Sequence, residues 1–382
     1  MSPRRAAAGT APVPVEPETE ASAAQVVDWN VASRVASWLS ARRAVPATYD
    51  ALEIQRTFDE LVPQAEDLVR DCTGLRPPGR ARAQVTDRPE WARLNVASFE
   101  RLLAPALARL EARRRGLPVL GMRPFVEAGR FASGTELGAV LGWMSGRVLG
   151  QYDVLLAEEG VEDQDVVYFV GPNVFQLEKR HGFPSGEFRL WLALHELTHR
   201  AQFTGVPWLK GYFLSLVQEG LEPFIANPKA LAEALRRAAE EVRARRSPLE
   251  DAGMLGLVAS EEQLVVIRKI QALMSLLEGH GDVTMDRAGA GVVPGAERFS
   301  KTLKERREQV RGPAKLIQQI LGIEAKMRQY AEGERFIHAV EDEGGRELMD
   351  RVWRGPEWLP TMEEIRLPSS WVKRIEGMSA GA

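Results

Sequence analysis

The stretch LALHELTHRAQF, Leu192 to Phe203, sets two histidines four residues apart with a glutamate directly after the first. In a helix, residues four apart share a face, so the imidazoles of His195 and His199 can close on one metal ion. Phe188, Leu192, His195 and His199 follow one another at steps of four, three and four, which predicts a stripe that begins apolar and faces inward. Imidazoles on such a stripe need hydrogen-bond partners or a metal. Glu196 falls one step round the helix. There its carboxylate can reach a water at the ion without ligating the ion, as a general base in zinc-assisted hydrolysis must. A catalytic zinc takes three protein ligands and keeps one position open. A third ligand must therefore come from elsewhere, and the plain alternative is a pair of core histidines satisfied by their neighbours.

The chain has five histidines: His181, His195, His199, His280 and His338. His181, in EKRHGFP, reads as a turn residue ahead of the active helix, and His338 as a helix residue satisfied locally. LMSLLEGHGDVTMD reads as the end of a buried helix with the stripe Ile267, Ile270, Met274, Glu278, Asp282, Met285. Two acids on an apolar stripe are costly unless something positive meets them. Zinc would meet Glu278 as third ligand. Asp282, one turn on, would accept a hydrogen bond from the free ring nitrogen of a ligand histidine. His280 points off the acidic stripe, and three roles stay open for it: third ligand in place of Glu278, donor to a developing oxyanion, or support behind the ligands. Gly279 and Gly281 flank it, and a helical glycine costs about 1 kcal/mol against alanine. They predict either close approach of another backbone or a frayed helix end.

The elements that must carry these residues read as mainly α-helical with a small β-sheet. VVDWNVASRVASWLSARR, a segment from about Ala47 to Val69, and a long run opened by Asp87 and Pro89 have helical periodicity, and the capping-box spacing of Ser133 to Glu136 predicts another helix start. CTGLRPPGRARAQ reads as a loop. DVVYFVGPN, Asp165 to Asn173, reads as a strand ending in a Gly-Pro-Asn turn, with YDVLL as a weaker strand. Four helices follow, around LWLALHELTHRAQF, NPKALAEALRRAAEEVRARR, EEQLVVIRKIQALMSLLEG (with Ser260 and Gln263 at capping-box spacing) and KLIQQILGIEAKMRQYAEGERFIHAV. Residues 1–24, rich in alanine and proline, read as a disordered tail, and 25–382 as one domain.

Bulk properties narrow the function. Of 382 residues, 45% are hydrophobic and 27% charged, as in a soluble globular protein. A net charge of -3 argues against nucleic-acid binding through bulk electrostatics, and the basic runs at Arg113 and Arg236 read as solvated helix faces. No apolar run is long enough to span a membrane. The single cysteine, Cys72, fits a reducing compartment and reads as a small hydrophobe. With no secretory signal pattern in the tail, the expected location is cytoplasmic.

HELTH followed by a distant E-x-x-x-D helix resembles the gluzincin class of zinc metallopeptidases. More closely, VVDWNVASRVA, VGPNVF, FRLWLALHELTHRAQF, PWL and LMSLLEGHGDVTMD resemble an actinobacterial family of zincin-like metallopeptidases, often labelled as associated with deazaflavin-coenzyme biosynthesis. The resemblance spans nearly everything from Val27 to about Val372. It implies zinc at His195 and His199 with Glu196 catalytic, and Glu278 and Asp282 match the third-ligand helix of the wider class. The gap from His199 to Glu278 is longer than in its compact members.

The expectation is a zinc-dependent peptidase acting on peptide or small amide substrates. DVVYFVGPN would be the edge strand that receives an extended peptide, and His280, Tyr212 or Tyr330 would donate to the oxyanion. RAGAGVVPGAE, Arg287 to Glu297, reads as a surface loop that could also serve as a lid. Trp191 is expected on the opposite flank of its helix from the site. Two other functions remain open: a non-catalytic protein in which the metal staples two helices, and an amidase for a small metabolite. Glu196 separates the first from the enzymes, because a structural zinc has four protein ligands and no use for a free acid.

Overall fold

The computed structural model describes residues 27–114, 123–154, 165–226, 261–308 and 323–380. In chain order these form α1 (Trp29–Ala41), α2 (Ala51–Thr73), β1 (Arg82–Thr86), α3 (Arg88–Arg114), α4 (Arg123–Met144), β2 (Gly150–Tyr152), β3 (Val166–Val170), α5 (Gly171–His181), α6 (Ser185–Gly205) and α7 (Leu209–Ala226). They continue with α8 (Glu261–Gly289), α9 (Ala296–Glu308), α10 (Ile323–Met349), two short 3-10 turns, α11 (Met362–Arg366) and α12 (Pro368–Ala380). The fold is mainly helical with one three-stranded sheet, as the sequence predicts. The tail, the helix predicted over NPKALAEALRRAAEEVRARR and the Ser260 cap lie outside the described residues.

The sheet order is β1-β3-β2, with β1 parallel and β2 antiparallel to β3. This corrects three expectations. The end of the proline- and glycine-broken segment read as a loop, Arg82 to Gln84, instead opens the strand Arg82–Thr86, which pairs residue for residue with Val166–Val170. The weaker strand lies at Gly150–Tyr152 and stops where YDVLL begins. And β3, expected at the edge, is the central strand, which leaves β2 as the edge strand beside the site. Gly-Pro-Asn is not a turn either: Pro172 sits in the first turn of α5, where its missing N–H costs nothing. His181 is accordingly the last residue of that helix, capped by Gly182.

Asp28 caps α1 by accepting from Val31 N at 2.9 Å, and Asp50 caps α2. The Ser133–Glu136 spacing is no cap, because α4 begins at Arg123. Gly134, Gly138 and Gly142 instead form the face of α4 against α1; a Cβ on Gly138 would stand 2.5 Å from the Ala32 carbonyl oxygen.

The main core gathers Ile54 and Phe58 of α2, Val167 and Phe169 of β3, Phe188 and Leu197 of α6, and Leu273 and Leu277 of α8. A second cluster joins Leu276 and Val283, on another face of α8, to Phe336, Val340 and Trp371. Helix α8 is thus wedged between two cores. It crosses α10 so closely that a Cβ on Gly279 would lie 2.4 Å from Gly333, and one on Gly333 would lie 1.9 Å from the Ser275 carbonyl oxygen. Close backbone approach, not fraying, explains Gly279, since α8 continues unbroken to Gly289.

Two arginines fix α6 on the other side. Arg189 donates to both Glu178 oxygens at 2.8 and 3.0 Å and to Glu53 at 2.7 Å. Arg200, 1% exposed, donates to Glu66 at 2.6 Å, to the Pro78 carbonyl at 2.8 Å and to Asp165 at 2.7 Å. Buried charges are tolerable where their donors are used this fully. The turn over 290–295 is held down by buried Val293 and by Gly295 N, which donates to Glu187 at 2.9 Å. It is an ordinary connection between α8 and α9.

Candidate metal centre

Helix α6 brings His195 and His199 to the same end of the main core as Glu278 of α8. The two Nε2 atoms stand 3.2 Å apart, and Glu278 Oε2 lies 4.0 Å from His195 Nε2 and 3.8 Å from His199 Nε2. Tetrahedral zinc with bonds near 2.0–2.2 Å spaces neighbouring donor atoms about 3.4 Å apart. The three side chains fit such an ion with small adjustments. Two imidazole nitrogens facing each other beside a carboxylate also form a donor set that calls for a cation at its centre. Among the described residues, these three donors form the one group of histidine, cysteine or acid side chains close enough to hold a metal. All three are partly exposed, at 27%, 16% and 14%, so the centre opens to solvent.

Glu196 stands outside that donor set. It is buried, and its Oε2 accepts the Tyr152 N–H of edge strand β2 at 3.1 Å. The strand approaches so closely that a Cβ on Gly150 would sit 2.7 Å from the Glu196 carboxylate. Burial pushes the Glu196 pKa from its ordinary 4.5 up to about 8; the Tyr152 N–H opposes this and the Glu278 charge adds to it. In the metal-free protein this carboxyl holds a proton near neutrality.

Behind the donors, His199 Nδ1 contacts Gln202 Oε1 at 3.0 Å and His195 Nδ1 lies 3.1 Å from Met285 Sδ. Gln202 is fully buried and was not singled out in the sequence, although it falls three residues after His199 on the same stripe. His280 does not join the donor set: its Nδ1 lies 3.0 Å from Gln202 Nε2, and its ring meets Trp353 edge-on at 5.1 Å. Burial drives its pKa down to about 3, so it is neutral. Asp282 sits half-buried one turn beyond Glu278. Gly281 faces the rings of His199 and His195, where a Cβ would make ordinary contacts of 3.6 and 3.8 Å.

Other candidates lie elsewhere. Tyr212 packs edge-on against Trp208 on α7 at 5.9 Å, His338 is exposed on α10, and the Tyr330 side chain lies outside the described residues. Cys72 is half-buried against the main core, and burial raises its thiol pKa. Trp191 is not on the opposite flank of α6: it lies one turn before His195 and packs on Phe188 and Phe299 at 6.2 and 6.0 Å.

A helix carrying His195, Glu196 and His199, completed by a carboxylate from a second helix and flanked by an edge strand, is the arrangement of a zincin-type hydrolytic centre. The comparison with protein families agrees: the chain belongs to the zincin-like metallopeptidases, whose family model matches residues 27–372. A solved structure from Chloroflexus aurantiacus, described as a candidate hydrolase with a novel fold, is similar with a TM-score of 0.65 and 28% identity, covering 92% of this chain and 99% of the other. Among the curated proteins, none matches. No described helix is long and apolar enough to cross a membrane.

Proposed function

We propose that the protein is a zinc-dependent hydrolase of amide bonds, with peptides as its substrates. The observation that supports this most is the separation of roles at the centre. His195, His199 and Glu278 converge as three donors, while Glu196 is held apart on the Tyr152 N–H, next to them and unshared. His195 Nε2, His199 Nε2 and Glu278 Oε2 would hold the ion, with Asp282 supporting a ligand imidazole one turn away. When bound, zinc polarises a carbonyl and lowers the pKa of water to about 7.

The chain's own part is proton handling and positioning. Glu196 takes a proton on its carboxylate as water attacks the scissile carbonyl, then delivers it to the leaving nitrogen. The Tyr152 N–H and the close passage of Gly150 fix where that carboxylate stands. An extended substrate would lie along β2, the edge strand beside Glu196, in place of the central β3 that the sequence suggested. His280, engaged with Gln202, supports the donors and takes no ligand role. The family membership and the hydrolase description of the Chloroflexus protein point the same way. Kinship with the deazaflavin-associated actinobacterial branch and a cytoplasmic location belong to this proposal and add nothing about the substrate.

A non-catalytic staple is the weaker reading, because the three donors that converge among the described residues leave a coordination position open and a structural zinc has four. The test is hydrolysis of a peptide library by the zinc-loaded protein, with Glu196→Gln as control. Cleavage by the parent and at least a hundredfold loss in the variant support the proposal. Cleavage that survives Glu196→Gln undiminished overturns the role given to Glu196. Turnover of small acylated amines but of no peptide would move the protein to the amidase reading.

A further inference from the structure

Gln202 makes three contacts that constrain one another. Its Nε2 lies 2.9 Å from the Leu277 carbonyl oxygen and 3.0 Å from His280 Nδ1, while its Oε1 lies 3.0 Å from His199 Nδ1. A backbone carbonyl only accepts, so the end of the amide facing Leu277 must be the NH2 group. The other end, facing His199, is then the carbonyl oxygen, and His199 Nδ1 must carry the hydrogen. That leaves the Nε2 lone pair of His199 free, and Nε2 is the nitrogen turned toward His195 and Glu278. The second amide hydrogen points at His280 Nδ1, which must be an acceptor, so His280 carries its hydrogen on Nε2. One backbone carbonyl thereby determines the tautomers of two histidines.

We infer that Gln202 is a positioning residue that presets His199 for metal binding and ties the helix of the first two donors to the helix of the third. Leu277 directly precedes Glu278, so the same amide that orients one ligand holds the backbone from which another projects. Gln202 is 0% exposed, so no water competes for these bonds. The relay ends on Trp353, whose ring meets His280 and whose carbonyl accepts the Trp208 indole N–H at 2.8 Å. The far side of the relay is therefore anchored on both the Trp208 segment that opens α7 and the turn after α10.

This inference rests on the metal reading above, and two readouts separate the fates of the two. The first needs no metal: nitrogen NMR of 15N-histidine-labelled, metal-free protein. The Nδ1–H form of His199 is expected to dominate in the parent and to give way to a mixture in Gln202→Leu. The second is zinc affinity by chelator competition, together with the visible spectrum of the cobalt-substituted protein. Gln202→Leu is expected to bind about 10- to 100-fold more weakly, the usual cost of losing a partner behind a metal ligand. Gln202→Glu keeps an acceptor for His199 Nδ1–H, and His280 can answer it by moving its hydrogen to Nδ1. It is expected to recover affinity over Gln202→Leu although it is no more stable to heat. Unchanged tautomer and affinity in Gln202→Leu would overturn the inference, as would equal weakening in both variants tracking their stability. A parent protein that binds no zinc yet shows the His199 Nδ1–H form would remove the metal reading and leave the relay standing.

Discussion

Replacing Glu196 by glutamine should stabilise the metal-free protein while removing its proposed proton acceptor. The carboxyl is 7% exposed, and burial, opposed by the Tyr152 N–H and reinforced by the Glu278 charge, holds its pKa at about 8 against an ordinary 4.5. Between those values the folded chain keeps a proton that the unfolded chain has released, so stability falls as pH rises through this window. From 4.5 to pH 7 the loss amounts to about 3 kcal/mol. For a chain of this size that corresponds to roughly 4 °C in Tm. The glutamine side chain of the variant does not titrate and keeps an oxygen for the Tyr152 N–H. The Tm advantage of Glu196→Gln should therefore grow from little at pH 5 to a plateau above pH 8, on top of any constant offset from fitting the amide. Thermal unfolding in a chelating buffer from pH 5 to 8.5 reads this directly. With zinc bound, the adjacent cation favours the carboxylate and the slope should flatten. A variant-minus-parent difference that is flat with pH in the metal-free protein would refute the reasoning.

Three further outcomes follow from the same geometry. Gly150→Ala drives a methyl into the Glu196 carboxylate and should lower kcat about 10- to 100-fold at unchanged zinc content, as steady-state kinetics and metal analysis would show. Arg200→Met removes the cation paired with Asp165 and leaves Glu66 with Arg80 alone at 3.1 Å, and should cost about 3 kcal/mol in denaturant unfolding. Glu341 is held below the usual carboxylate range by its hydrogen bonds to Arg287. Its contribution is thus present above the ordinary carboxylate pKa and lost as pH falls through the lower folded value. Stability curves of Glu341→Gln and the parent should differ at neutral pH and converge in acid.

The centre was largely legible because its residues obey helical spacing. His195 and His199 share a face by their four-residue step, and the same step sets Glu278 on the stripe of Ile270 and Met274. What that spacing could not reveal depends on pairing between distant segments. Arg82–Thr86 has little strand character alone and becomes a strand through Val166–Val170. Once β1 occupies one side of β3, the edge passes to β2, a three-residue strand too short to announce itself. Ser133–Glu136 matched a cap by residue type, yet the glycine there serves helix contact, which one-dimensional spacing does not distinguish. Gln202 was on the histidine stripe, but its importance lies in reaching Leu277 and His280, a relation between helices.

The central claim is that His195, His199 and Glu278 bind one cation together and leave a position open. Zinc stoichiometry and X-ray absorption at the zinc edge, on the parent beside Glu278→Ala and His199→Ala, test it most directly. One zinc per chain is expected, bound by two imidazole nitrogens and oxygen ligands, with the metal lost or greatly weakened in both variants. Full zinc retention in Glu278→Ala, or a parent with four protein ligands and no open position, would contradict it.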